Sequence, residues 1–218
     1  MTEAEWLACT DPQKMLGFLH ERGIRTGRKY LLFVCACSRR RRSQLRDGRS
    51  RKLVEVLEAV ADGLASEDEL LAAREEAEVA WEETKTSRGK NAAAIALDGS
   101  APQFGYCEGA WQAAFGAQKA SRQQKVESAE QCRLLHELIG PLLFRPVALN
   151  TAWLAWNDGT IPKLAQAIYD ERAFDRLPVL ADALEEAGCD NADILGHCRQ
   201  PGEHVRGCWV VDLLLGKE

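Results

Sequence analysis

This sequence predicts an all-α fold: an antiparallel bundle in its N-terminal four-helix region, with C-terminal helices packed on it. Apolar residues recur at three- and four-residue spacing along most of the chain. Capping residues and prolines stand where those runs begin, and no stretch alternates as a half-buried strand would. A length of 218 residues, 46% apolar and 28% charged, suits a globular chain with a sizeable core.

Thr10-Asp11-Pro12 is the first start signal, a capping residue followed by proline in the first turn. Met15, Leu16 and Leu19 then share a face, and Gly23 supplies a stop. A second helix is expected from about Arg28 to Arg46, apolar in its first half and basic in its second. Its Tyr30–Val34 stretch is the one strand candidate, and its neighbours favour helix. Leu53, Val56, Leu57, Val60 and Leu64 form the stripe of a third helix. Ser66 with Glu69 is a capping box for a fourth, running to about Thr86.

Between 87 and 108, Gly89, Gly99, Pro102 and Gly105 interrupt any periodicity, which predicts a mobile connection with at most a short helix over Asn91–Leu97. Helix resumes from Glu108 to Ile139, with Trp111, Phe115, Leu135 and Leu138 as core contacts and an exposed polar centre. Gly140-Pro141 ends it. Three capped helices follow: Thr160 before Pro162–Arg172, Asp175 before Arg176–Ala187, and Asp190 before Ala192–Cys198. A last helix near Val205–Leu215 is apolar on one side and should be docked. The expected organisation is therefore an N-terminal bundle over 1–88, a flexible connection over 89–107, and a helical region over 108–218 that can share the same core.

No apolar run reaches the roughly 20 residues that cross a bilayer. The acidic opening Met1-Thr2-Glu3-Ala4-Glu5 is unlike an export signal, so a cytoplasmic location is expected. In a reducing compartment the eight cysteines default to small buried hydrophobes, Cys35 and Cys37 in particular.

Two stretches resemble a large paralogous family of uncharacterised planctomycete-type bacterial proteins. The opening is Met1-Thr2-Glu3-Ala4-Glu5-Trp6-Leu7 with Asp11-Pro12 and Met15-Leu16, followed by Leu32-Phe33-Val34-Cys35-Ala36-Cys37. The ending is Asp170-Glu171-Arg172-Ala173-Phe174-Asp175-Arg176-Leu177-Pro178, then Leu180 to Cys189, then His204-Val205-Arg206-Gly207-Cys208-Trp209-Val210-Val211-Asp212. The resemblance implies a helical scaffold repeated with different middles. That suits recognition better than a housekeeping reaction, and it brings no catalytic residue.

Charge is segregated. Between Arg25 and Lys52 there are 11 Lys/Arg and one acid, Asp47; between Leu53 and Glu83 there are 11 Asp/Glu and one base, Arg74. The candidate interface is Arg39, Arg40, Arg41, Arg42, Arg46, Arg49, Arg51 and Lys52. Its blandest reading is self-pairing with Glu55, Glu58, Asp62, Glu75, Glu76 and Glu82 on the next two helices. An acidic protein partner is the functional reading, and nucleic acid is the alternative, disfavoured by a pI near 5.5.

Phosphate-loop, dinucleotide and nucleophile-elbow motifs are absent. His20-Glu21 and His136-Glu137 each lack the second histidine of a metalloprotease helix. A non-enzymatic interaction or regulatory module without cofactor is thus expected. Zinc is a lesser alternative, with Cys189, His197, Cys198, His204 and Cys208 as the ligand pool near Asp193. That pool contains no Cys-x-x-Cys or His-x-x-x-His pair. His197 and Cys198 are neighbours whose side chains diverge by about 100° on a helix. The spacing therefore favours core packing over metal. Catalysis by Cys198 with His197 or His204 is weaker still.

Overall fold

The computed structural model describes residues 1–23, 27–101 and 105–217. Arg25 and Pro102, used above, lie outside the described residues. Among those residues every regular element is helical. No helix is long and apolar enough to cross a membrane. The chain divides into two compact units, Met1–Leu135 and His136–Glu218.

The first unit opens with α1 (Glu3–Leu7), held by a capping box between Thr2 and Glu5. In α2 (Pro12–Glu21) the Asp11 side chain accepts from the Gln13 amide, and Met15, Leu16 and Leu19 are buried. Helix α3 (Gly27–Arg39) is buried on all sides from Tyr30 to Ser38, Cys35 and Cys37 included. A helix apolar all round has to be central.

It is shorter than the sequence suggests. After Arg39 the amides of Arg41 and Arg42 bond three residues back, to Ser38 and Arg39, and Arg40–Gln44 forms turns. A continued helix would stack like charges, whereas the tightened turn sends successive guanidiniums in separate directions.

Asp47 caps α4 (Gly48–Ala61), where Leu53 and Leu57 are buried while Leu64, beyond its end, is exposed. The Ser66–Glu69 capping box starts α5 (Glu67–Glu83) as expected. The predicted connection is instead mostly α6 (Ser87–Gly99), capped by Thr86, with Ala92, Ile95 and Ala96 buried. It packs against α7 (Tyr106–Ala120), and a Cβ on Gly109 would run into the Gly99 carbonyl. Small residues permit that approach, and their lack of bulk hid the helix.

In α7 the buried stripe is Ala110, Ala113, Ala114 and Ala117, and Trp111 and Phe115 are exposed instead of serving as core contacts. The single helix expected over 108–139 is broken at Ser121–Gln123. The chain resumes as α8 (Gln124–Ile139), where Leu135 and Leu138 are buried.

The second unit takes in the last turn of α8. Gly140 (φ +62) opens a 3-10 turn to Leu143, and a Cβ there would lie 2.5 Å from Trp209 Cγ. Asn150 caps α9 (Thr151–Ala155), which carries the buried Trp153. In α10 (Thr160–Glu171) the cap position is Gly159; Thr160 donates its hydroxyl to the Asn157 carbonyl instead of capping. Before α11 (Leu177–Glu186), Asp175 lies in a 3-10 turn, and the cap position is Arg176, which makes no side-chain cap bond. In α12 (Ala192–Arg199) the cap is Asn191, one residue after the expected Asp190.

The final helix, α13 (Trp209–Leu215), starts later than expected because Pro201–Cys208 is irregular. Ile161, Ile168, Leu177, Leu180, Leu184, Ile194, Val210 and Leu214 form one continuous core in this unit. Each such side chain is worth about 1.5–3 kcal/mol of burial.

Candidate functional site

Two side-chain clusters stand out, one in each unit. In the first, half of the basic block is engaged by internal partners. Arg39 forks onto Glu58 with both bonds at 2.6 Å, and Glu58 holds the guanidinium pKa above its ordinary value. Arg49 binds Asp47 and Glu83 at 2.8 and 2.5 Å. Arg40 reaches Glu127 at 3.6 Å and Glu130 at 3.7 Å, and Arg41 pairs with Glu127. The carboxyl of Glu127 is raised, because burial outweighs the two arginines.

Four of the eight residues are paired within the unit, but only Arg39 with Glu58 as expected; Arg40, Arg41 and Arg49 pair instead with Glu127, Glu130, Asp47 and Glu83. Arg42, Arg46, Arg51 and Lys52 are exposed, and none forms an ion pair with a described residue; Arg51 donates to the Leu45 carbonyl at 3.4 Å. Arg40 and Arg41 also line a cleft with Gln44, Arg88, Ser121, Arg122, Gln123, Val126 and Glu127. Arg88 and Arg122 are contributions that the linear block did not contain.

In the second unit, Glu137, His197, His204 and Cys208 each turn one donor atom inward, all four within 4.8 Å of one another. Glu137 comes from the last turn of α8 and His197 from α12. His204 sits in the irregular segment, and Cys208 immediately precedes α13. His197 Nε2 lies 3.2 Å from Cys208 Sγ and 3.2 Å from Glu137 Oε2. His204 Nδ1 lies 3.0 Å from both Glu137 oxygens. The side chains of Glu137, His197 and His204 are 4, 8 and 7% exposed.

Burial pushes the Glu137 carboxyl up, but bonds and charge from the two histidines prevail and hold it below its ordinary value. His204 is shifted the opposite way: burial lowers it, but its bond to Glu137, the Glu137 charge and the Gln200 carbonyl together hold it above its ordinary value. The Cys208 thiol is pushed well above its ordinary value by burial, with the Glu137 charge adding to it.

Of the ligand pool read from the sequence, His197, His204 and Cys208 come together. Cys189 and Cys198 do not join the cluster; both are buried among Ile194, Leu184 and their neighbours. The expected divergence of His197 from Cys198 is what separates them. Glu137 was missed. Its only signal was a buried-phase position on α8, one turn after the apolar Leu134. No protein-family model, curated protein or solved structure matches this chain.

Proposed function

We propose that the chain is a non-enzymatic binding module whose first unit takes an acidic protein partner through the arginine cleft. The observation that carries this reading is convergence. Arg40 and Arg41 from the turn after α3, Arg88 from α6 and Arg122 from the break between α7 and α8 line one cleft, facing a single carboxylate, Glu127. Four guanidiniums against Glu127, with Glu130 reached by Arg40 alone, leave an excess of positive charge where planar donor forks can engage carboxylates in pairs.

Arg88 and Arg122 are exposed and form no ion pair with a described residue, so they can be reversed without dismantling the unit. The test is affinity capture of the tagged full-length protein with nuclease present, comparing wild type, R88E/R122E, and K14E as an exposed control outside the cleft. A stoichiometric acidic protein held by wild type and K14E but lost from R88E/R122E supports the reading. Capture of nucleic acid instead, collapsing with salt, replaces it with the nucleic-acid alternative. Equal capture by all three proteins refutes the cleft.

A further inference from the structure

The cluster in the second unit has the composition and dimensions of a metal site. Zinc binds thiolate at about 2.3 Å and imidazole or carboxylate at about 2.0–2.2 Å, so a tetrahedron around it has edges of about 3.3–3.8 Å. Separations of 3.0 and 3.2 Å link His204 to Glu137 and His197 to both Glu137 and Cys208, just short of those edges, and all four donors lie within 4.8 Å of one another. Seating the ion takes a few tenths of an ångström of opening at the short edges and a closing of the widest by up to about 1 Å.

Charge also matches. A carboxylate and a thiolate bring two negative charges into a buried place, and a divalent cation neutralises both, leaving no net charge to desolvate. Coordination displaces the Cys208 thiol proton to solvent and replaces the S–H bond with a sulfur–metal bond.

The histidines carry a second, independent observation. Each turns one ring nitrogen into the cluster and presents the other to the same residue, Gln200. His204 Nε2 lies 3.4 Å from the Gln200 carbonyl, and His197 Nδ1 lies 3.1 Å from the Gln200 side-chain amide. Metal-bound imidazoles commonly donate their free N–H in this way, fixing tautomer and ring orientation. At His197 this requires the Gln200 amide to turn its oxygen toward Nδ1, a rotation about its last side-chain bond. Beneath the cluster, the Trp209 ring centroid lies 5.2 Å from that of His197.

We propose that Glu137, His197, His204 and Cys208 bind one zinc ion in a closed tetrahedral site that pins residues 200–208 to the end of α8. Four protein ligands leave no open position, so the site is structural. The competing account is a buried carboxylate bonded to two histidines with the thiol packed alongside, and it needs no metal.

The full-length protein is purified in zinc-supplemented buffer without chelator, and its metal is measured. About one zinc per chain is expected through gel filtration, falling below about a tenth in C208A and H204A, while C198A keeps the wild-type amount. Because ligand variants can misfold, the wild-type protein is also stripped, checked for helical circular dichroism, and titrated with cobalt(II) alone. A thiolate-to-cobalt charge-transfer band with intense tetrahedral visible bands is expected. Metal-free wild type that is folded and gives neither band overturns the site. Zinc lost equally from C198A and C208A overturns the ligand assignment.

Discussion

The arginine block of the first unit and the donor cluster of the second are opposites in how they are built. The block is contiguous in sequence, and its charges disperse in space. Arg39 goes to Glu58, Arg49 to Asp47 and Glu83, and Arg40 and Arg41 to Glu127. The cluster is scattered from residue 137 to residue 208, and its donors converge within 4.8 Å. A dense run of like charge mainly reports where counter-charges must lie. Converging unlike donors report a place where one ligand can be shared.

Breaking the cluster should have the largest consequence. Removing zinc, by chelation or by C208A, should destabilise the second unit by about 4 kcal/mol or more if the site binds at a thousandth of the working zinc concentration, read as a lowered thermal midpoint restored by zinc only in wild type. Next comes the backbone beneath it. Gly140→Ala sets a Cβ against Trp209 at a positive φ and should cost about 2–4 kcal/mol in chemical denaturation.

In the first unit, Glu58→Gln removes a buried carboxylate but leaves Arg39 partly exposed, so the cost should be smaller, about 1–2 kcal/mol by the same denaturation. Glu127→Gln separates stability from binding. It should lower the denaturation midpoint while tightening an acidic peptide by about three- to tenfold in titration calorimetry, because the cleft loses its internal competitor. R88E/R122E should move stability least, within about 0.5 kcal/mol, and abolish that peptide's binding.

Much of the fold was legible because helix signals are local. The Asp11 and Ser66 caps and the Met15, Leu16, Leu19 face are visible within a few residues of sequence, and the structure contains them. The helix over Ser87–Gly99 was not legible, because alanine and glycine give an apolar stripe too little contrast with its surroundings. The same effect inverted α7: four alanines face inward, and bulky Trp111 and Phe115 were mistaken for the core.

The donor cluster was legible by three of its members. Glu137 stands 60 positions before His197, and no spacing rule links residues that only the turn at Gly140 and the packing of α12 bring together. A search for paired ligands does not find a cluster assembled from single donors on three segments, α8, α12 and the irregular stretch 201–208.

Whether these donors hold one ion is decided by the zinc content of the purified chain. About one tightly held zinc per chain is expected, dependent on Cys208 and independent of Cys198. Folded wild-type protein without zinc, and without a cobalt–thiolate band when cobalt is offered, would contradict it.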